Sequence, residues 1–446
     1  MRVADAPDQY LSENGAAAPG GPRRAVRRIV ASRGARQGVL ALVDQCLASA
    51  TTFLTMTILA RSCTQDEVGI FSLCFSMVLF ACMIQERTLS APYLMFAHQR
   101  RGEAAATLLG STLVHQSILA VAVVVVEWGY FGYLLETEGF STMAASVLAL
   151  TLVTLPVMLR DFVRSVSFAH LRMSGAILVD GVVSVLQLGT LAALAAWGTV
   201  TIPKAFLAMG VACVFAAAAW LLTKRHPLAI RREQIRLDWR HHWGYARWLV
   251  FGRLFGNGSR LFMPWIVAGM LGLSSAGVLA ACVTLAGLSW VFVRGMNNLL
   301  QPRAVRAYHH GGKVALLREL WRTAIFYVVF LGGMCVVYVF AGRWLLQILF
   351  GEGFTDGAPA LVMLGLNTLA TGLAMTSSNG LAALERPKGN FLGEGATFLL
   401  TIGLAFPLIR AFGIAGAAAA LVAGAVSSLV VMTWVLARAL RRVDTT

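Results

Sequence analysis

Three arginines lie inside long apolar stretches of the second half of the chain, where an ionised side chain is unusual. Arg253 and Arg260 are seven residues apart, about 20° short of two full helical turns, so they share a helical face, with Asn257 between them. The next apolar stretch repeats the pattern with helical spacing. Its polar stripe consists of Arg294, Asn297, Asn298 and Gln301. An ionisable side chain in hydrocarbon costs about 2.5 to 3.5 kcal/mol, so residues of this kind usually face a cavity.

The residue types in the two stripes suit a ligand that carries a diphosphate and sugar hydroxyls. A planar guanidinium donates two parallel hydrogen bonds to phosphate and stays charged at physiological pH. Asparagine and glutamine both donate and accept, as the recognition of hydroxyls requires. The pattern therefore predicts a cationic, amide-rich, substrate-binding wall. For Arg294 a second interpretation stays open, because Pro302 is only two turns away and the side chain could extend to the cytosolic interface.

A second basic group lies at the end of an apolar stretch in the first half. Arg160 and Arg164 are one helical turn apart, with Asp161 beside them. Two interpretations fit this spacing. The group either forms the place where an anionic head group enters from the cytosol, or it anchors the helix at the cytosolic interface with one aspartate–arginine pair.

Asp44 and Asp180 lie inside apolar stretches of the same half. Each shares a helical face with polar residues, which are Thr51 and Thr55 for the first and Ser184 and Gln187 for the second. Either aspartate is a candidate for taking up a proton or a sodium ion that drives a transport cycle. The alternative is a structural ion pair with an arginine across a cavity.

These residues are embedded in a strongly apolar chain. The 446 residues are 58% hydrophobic and 13% charged, with a mean hydropathy of +0.71, whereas soluble proteins have roughly 45 to 50% apolar and about 25% charged residues. The apolar runs are continuous, which excludes a soluble enzyme and an alternating outer-membrane barrel. The basic residues that give the net charge of +16 lie between apolar blocks, so this charge does not indicate nucleic-acid binding. Seven cysteines without a CxxC pair indicate neither a zinc site nor a disulfide framework, and no cofactor is expected.

Hydropathy predicts an all-α, polytopic integral membrane protein with twelve transmembrane helices. The predicted spans are 38–60, 68–96, 108–134, 142–168, 175–197, 203–223, 246–270, 275–302, 323–341, 358–384, 391–409 and 413–437. The longest outside loops are predicted at residues 127–141 and 342–357. A basic stretch at about 224–243 divides the spans six and six.

The predicted domain organisation follows from this division. It comprises a disordered basic cytosolic arm (1–36), an N-terminal six-helix lobe (37–224), a cytosolic linker (225–244), a C-terminal six-helix lobe (245–438) and a cytosolic tail (439–446). Basic residues set the orientation, because positively charged loops resist translocation. With the N-terminus inside, the inside segments hold 28 basic residues and the outside turns hold four. Both termini are therefore predicted to be cytosolic.

The two halves share a sequence pattern. Pro92 follows Gly69 after 23 residues and Pro302 follows Gly277 after 25 residues, and each proline leads into a short basic turn. Because both halves begin and end inside, a repeat of this kind is parallel, with its axis along the membrane normal.

The chain resembles the flippases of the multidrug/oligosaccharidyl-lipid/polysaccharide (MOP) exporter superfamily. The resemblance is carried by residues 59–71, by the basic turn after Pro92 and by FGIAGAAAALVAG at 412–424. It implies two six-helix lobes around a central cavity, lined by helices 1, 2, 7 and 8, that opens alternately to the two sides. It also implies that the protein flips a polyprenyl-diphosphate-linked oligosaccharide across the bacterial cytoplasmic membrane, for exopolysaccharide or O-antigen biosynthesis.

Two other functional classes compete with a flippase. A multidrug or organic-cation exporter of the same superfamily should present acidic residues in its cavity, whereas the interiors of spans 7 and 8 carry three arginines and no Asp or Glu. A membrane enzyme is disfavoured because the sequence has no DxD motif and no Ser/His/Asp arrangement. A non-enzymatic transporter is therefore predicted. Its expected partners are the lipid-linked glycan and membrane lipids, with the polymerase and glycosyltransferases of the same pathway as further candidates, and no nucleic acid.

Overall fold

The computed structural model describes residues 33–139, 141–170, 172–223, 229–386 and 388–443. Within these ranges the chain forms helices joined by short turns and has no strand, so the predicted all-α class is confirmed. The first half contains α1 (Arg33–Ser62), α2 (Gln65–Gln85), α3 (Ala91–Ala97), α4 (Glu103–Glu138), α5 (Thr142–Ala169), α6 (Met173–Ala196) and α7 (Ile202–Thr223). The second half contains α8 (Arg232–Leu271), α9 (Leu273–Gly287), α10 (Ser289–Phe350), α11 (Ala358–Ala383) and α12 (Lys388–Val443). The predicted basic arm falls outside the described residues except for 33–36, which begin α1.

Nine helical stretches of the described residues are long and apolar enough to cross a bilayer. Two of them contain glycines with non-helical backbone angles, Gly311 and Gly312 in α10 and Gly413 in α12, so each is a pair of helices joined at a bend. Predicted spans 7 and 8 correspond to α8 and to α9 with the first part of α10. Each of the twelve predicted segments therefore lies on a helix, and the chain is a multi-pass membrane protein.

Helices occupy most of both outside loops that hydropathy predicts. The structure continues α4 to Glu138 and α10 to Phe350, so most of each predicted loop is helical. The predicted third span (108–134) and the predicted loop (127–141) overlap, because the carboxylate of Glu127 interrupts the apolar run. In the structure Glu127 is 1% exposed and lies well inside its helix.

The predicted cytosolic linker is mostly helical, because α8 begins at Arg232 and continues without a break into the seventh predicted span. Asp238 attaches this first part of α8 to the first half of the chain. Its carboxylate is 1% exposed and accepts hydrogen bonds from Arg100 at 2.9 Å and Gln234 at 3.0 Å. Ser111 donates a third hydrogen bond to it. The connection between the halves is thus a docked helix.

The two halves meet where α2 and α9 begin. A Cβ atom on Gly69 would lie 2.1 Å from the carbonyl oxygen of Leu273, and a Cβ atom on Gly277 would lie 2.2 Å from that of Gln65. Only glycine allows backbones to approach so closely. Each carbonyl precedes the glycine of its own helix by four residues, so the contact is reciprocal, as a twofold axis produces. The glycines in contact are those that the sequence pairs as a repeat.

Candidate functional site

The first half contains a buried cluster of two arginines and two aspartates. Arg164 on α5 donates to Asp44 on α1 at 2.6 Å, and its Nε lies 3.0 Å from Oδ2 of Asp180 on α6. Arg160, one turn away on α5, donates to the other carboxylate oxygen of Asp180. Both aspartates are 1% exposed, so the four groups compensate one another in a region of low dielectric constant.

Hydroxyl and amide side chains extend this cluster along the contact between α1 and α6. The hydroxyl oxygens of Thr51 and Ser184 are 2.6 Å apart, and Gln187 donates to Thr55 at 2.9 Å. These residues belong to the polar faces that helical spacing predicts around the two aspartates. The two faces therefore point at each other and form one polar contact between helices.

The structure brings together residues to which the sequence assigns different roles. Arg160 and Arg164 are predicted to receive an anionic head group or to anchor the helix, and Asp44 and Asp180 to take up an ion or to pair with an arginine. In the conformation seen, both aspartates pair with arginines. Because the arginines and aspartates compensate one another, an anion or a cation that binds here competes with a present partner.

Arg294 extends from the second half of the protein to the first. It lies on α10, and its Nη1 donates to Oε1 of Gln45 on α1 at 3.1 Å. Gln45 is the sequence neighbour of Asp44, so Arg294 lies beside the buried cluster, where the charge of Arg164 acts on it. Its side chain is exposed, and within the described ranges it forms no ion pair with a carboxylate. This cation is therefore held by a neutral amide at the boundary between the halves.

Arg260 belongs to α8, and its side chain contacts α10. Its guanidinium carbon is 5.6 Å from the ring centroid of Trp290 on α10, a distance typical of a cation–π contact. The side chain is exposed, and the contact places it on the side of α8 that faces α10. The side chains of Arg253 and Asn257, predicted on the same face, lie outside the described residues.

The amides predicted on α10 have different surroundings. Asn297 accepts a hydrogen bond from Asn379 on α11 at 2.6 Å, so in this conformation it links two helices of the second half. Gln301 is exposed. The side chain of Asn298 lies outside the described residues.

An acidic side chain from a distant helix lies against α8. A Cβ atom on Gly256 would be 2.9 Å from the carboxyl carbon of Glu394 on α12. Gly256 lies between Arg253 and Arg260 in the sequence, so a carboxylate packs on this part of α8. Sequence reasoning missed this neighbour, because spacing along one helix does not identify what packs on it from another. The available signal was Gly256 itself, since a glycine in a helix leaves room for a neighbouring side chain.

Polar contacts hold the two halves together at one end of the protein. Gln65 at the start of α2 donates to the carbonyl oxygen of Gly353 and accepts from Ser274. Arg61 at the end of α1 donates to the carbonyl oxygen of Leu349 at 3.3 Å. Together with the glycine contact between α2 and α9, these bonds close the end that the basic-residue pattern assigns to the outside.

Known proteins resemble this chain in fold rather than in sequence. No protein-family model matches the sequence, and no curated protein matches it. An inward closed structure of the lipid II flippase MurJ has a TM-score of 0.74 at 12% identity, covering 91% of this chain and 90% of that chain. An inward-facing multidrug resistance MATE family transporter of the MOP superfamily has a TM-score of 0.70 at 15% identity, covering 92% and 96%. The chain has the MOP-superfamily fold.

An outward-facing multidrug resistance MATE family transporter of the MOP superfamily shares the fold as well, with a TM-score of 0.63 at 15% identity, covering 94% of this chain and 96% of that chain.

Proposed function

We propose that this MOP-fold protein is a flippase that moves a polyprenyl-diphosphate-linked oligosaccharide from the inner to the outer leaflet of a bacterial cytoplasmic membrane. Arg294 carries the proposal, because it is an exposed cation between the halves whose partner is an amide. A diphosphate at this position can accept both parallel hydrogen bonds of the guanidinium. The fold similarity to a lipid II flippase supports this class of substrate.

In this proposal the second half binds the head group, and the cycle alternates access between the two leaflets. Arg253, Arg260 and Arg294 bind the diphosphate. The sugar hydroxyls are bound by amides, namely Asn257, Asn297, Asn298 and Gln301. Arg160 and Arg164, beside Arg294, guide the anion to this wall from the cytosolic side.

Ion coupling is proposed at the aspartates of the buried cluster. Both carboxylates are occupied by arginines in the present conformation. A phosphate that competes for Arg164 would draw this partner away from Asp44, and the exposed carboxylate would then take up a proton or a sodium ion. Substrate and ion binding would thereby favour each other.

The second candidate function is a multidrug or organic-cation exporter, a non-enzymatic transporter like the first. Glu394 favours it, because its carboxylate against α8 is a group that an organic cation would contact. The fold similarity to a MATE transporter is also consistent with it.

Arginine variants in proteoliposomes test the flippase proposal. The assay measures how fast a fluorescent polyprenyl-diphosphate-linked sugar becomes inaccessible to a membrane-impermeant quencher. At about 1.5 to 3 kcal/mol for a charge-assisted hydrogen bond, Arg260→Gln should weaken head-group binding roughly ten- to a hundredfold. Arg260→Lys should be intermediate, because lysine keeps the charge and loses the planar fork.

Arg343→Gln is the matched control, since Arg343 is exposed at the predicted outside of α10 and loses the same charge. Folded Arg260→Gln and Arg294→Gln proteins that transfer the lipid at the parental rate would contradict the arginine site. Transport of an organic cation that Glu394→Gln abolishes, without transfer of the lipid-linked sugar, would identify the exporter.

A further inference from the structure

A groove of about 380 Å³ lies between α2, α4 and α8, at the boundary between the two halves. Ring centroids are 5.8 Å apart for Phe80 of α2 and Phe262 of α8, and 6.1 Å apart for Tyr130 of α4 and Trp265 of α8. Trp265 also donates to Ser76 of α2 at 2.7 Å. We refer to these contacts as the seam. The residues that line the groove are uncharged except for one glutamate.

That glutamate, Glu127 on α4, lies within a helical stretch that is long and apolar enough to cross a membrane. The end of α4 at Glu138 is 11 residues further along the chain, which is about 16 Å along the helix axis and roughly half of the hydrocarbon thickness. The side chain is 1% exposed. Its two carboxylate oxygens each lie 2.9 Å from the hydroxyl of Thr154 on α5.

No cation compensates Glu127 among the residues that the structure describes, where the ion pairs involve other acids. The guanidinium of Arg260 on α8 is turned towards Trp290 of α10. An ionised carboxylate in hydrocarbon with a single hydroxyl partner is costly, and protonation removes this cost. Cys74 on α2 interacts electrostatically with Glu127. The other titratable groups on the surrounding helices include Arg160 on α5, Arg260 on α8, and Tyr130, His115 and Glu136 on α4 itself.

We propose that Glu127 is a proton-binding site whose occupancy is linked to closure of the seam. While the seam is closed, burial favours the neutral acid. When α8 separates from α2 and α4, water reaches the carboxyl group and its proton passes to a water molecule. Closure reverses this step, so each cycle takes up and releases one proton with no other reactant. The lobe motion is part of the proposed function, whereas the proton site itself is independent of the substrate.

This site differs from the aspartate cluster of the first half. A proton on Asp44 or Asp180 breaks an ion pair with an arginine. A proton on Glu127 breaks no ion pair, since only the Thr154 hydroxyl contacts its oxygens in the described structure. The protonation of Glu127 can therefore change with the position of α8 without disturbing the arginines.

Infrared difference spectroscopy of the purified protein in lipid nanodiscs tests the proposal without a substrate. A protonated carboxyl group has a carbonyl stretch that an ionised carboxylate lacks, and alkaline titration removes it. This band should be present at neutral pH in the parental protein and in Glu136→Gln, and lost in Glu127→Gln. Glu136 is exposed on the same helix and controls for the loss of a carboxylate from α4. Identical spectra for the parental protein and Glu127→Gln would overturn the proton site.

Linkage to closure is tested by a disulfide at the closed end. Gln65 and Ser274 are in contact, so Gln65→Cys with Ser274→Cys in a Cys63→Ser background locks this end when oxidised. The pH at which alkaline titration removes half of the Glu127 band should then be higher than in the reduced form, by an amount that corresponds to about tenfold tighter proton binding. An equal or lower midpoint in the oxidised form would overturn the linkage.

Thr154→Val provides a second variant if Glu127→Gln does not fold. The ionised form loses its hydrogen-bond donor, so proton binding should tighten about tenfold or more, and an unchanged midpoint would overturn the site. If the arginine variants transport normally while the Glu127 band behaves as expected, the substrate assignment fails and the proton site stands.

Discussion

The arginines of the two halves differ in what they contact. In the first half, Arg160 and Arg164 contact buried aspartates, and the charges cancel. In the second half, Arg294 is exposed and contacts the amide of Gln45. Compensated charge holds helices together, whereas a cation with a neutral partner can still bind an anion. The capacity of a site for anions therefore depends on the partners of its arginines, and the number of arginines alone does not measure it.

The largest effect is expected when a substitution breaks the arginine–aspartate cluster of the first half. Arg164→Gln leaves the buried carboxylate of Asp44 uncompensated, so the free energy of unfolding should fall by about 3 to 5 kcal/mol. Arg294→Gln, at an exposed position, should change it by less than about 1 kcal/mol while it weakens head-group binding. Denaturant unfolding in detergent measures the first quantity, and a binding titration measures the second.

Two further variants sharpen this comparison. Asp44→Asn added to Arg164→Gln should recover part of the lost stability, because it removes a carboxylate that has lost its partner. Arg343→Gln controls for the loss of an exposed arginine. Equal destabilisation by Arg164→Gln and Arg294→Gln would abolish the distinction between the two halves.

An intermediate effect is expected at the reciprocal glycine contact between the two halves. Gly69→Ala and Gly277→Ala each place a methyl group against a carbonyl oxygen of the other half, so the closed state should lose about 1 to 3 kcal/mol. The labelling rate of Gln65→Cys by an impermeant maleimide, in a Cys63→Ser background, should rise roughly ten- to a hundredfold. Gly129→Ala on α4 meets no neighbour and should leave the rate unchanged. A large effect from only one of the two glycines would contradict the reciprocal contact.

The smallest effect is expected for the first part of α8, which docks on the first half of the chain. Burial would raise the pKa of Asp238, but hydrogen bonds from Ser111, Gln234 and Arg100 outweigh burial and hold it below its usual range. Docking should therefore be complete above the unfolded value of about 3.9 and be lost as the pH falls through the lower folded value. Asp238→Asn should weaken docking at neutral pH by about 1 kcal/mol and flatten this acid dependence.

Hydrogen exchange in the first four turns of α8 measures this docking between neutral pH and about pH 3. Glu233→Gln is the control, because Glu233 is exposed in the first turn of the same helix. Exchange that is equally slow in Asp238→Asn at every pH would show that other contacts hold the helix.

The sequence predicted the faces of helices better than the contacts between them. Helical spacing places Asp44 and Asp180 correctly on polar faces, because the period of the helix alone decides which residues share a face. Their common partner, Arg164, is 120 residues from Asp44 in the chain, and only packing of three helices brings them together. Residues 127–134 were assigned both to the third span and to an outside loop, because hydropathy alone does not show that α4 continues to Glu138.

Arg61 attaches the end of α1 to main-chain carbonyl oxygens at the C-terminal end of α10. Carbonyl groups in the last turn of a helix carry the negative end of its dipole, so a guanidinium suits them; that of Gln347 also accepts from the N–H of Gly351 at 3.0 Å. Neither an arginine nor a carbonyl group changes its protonation at any pH that a living cell meets. In acidic surroundings these contacts would therefore persist as they do in neutral ones, and any response to acidity would have to come from carboxylates or histidines elsewhere in the protein.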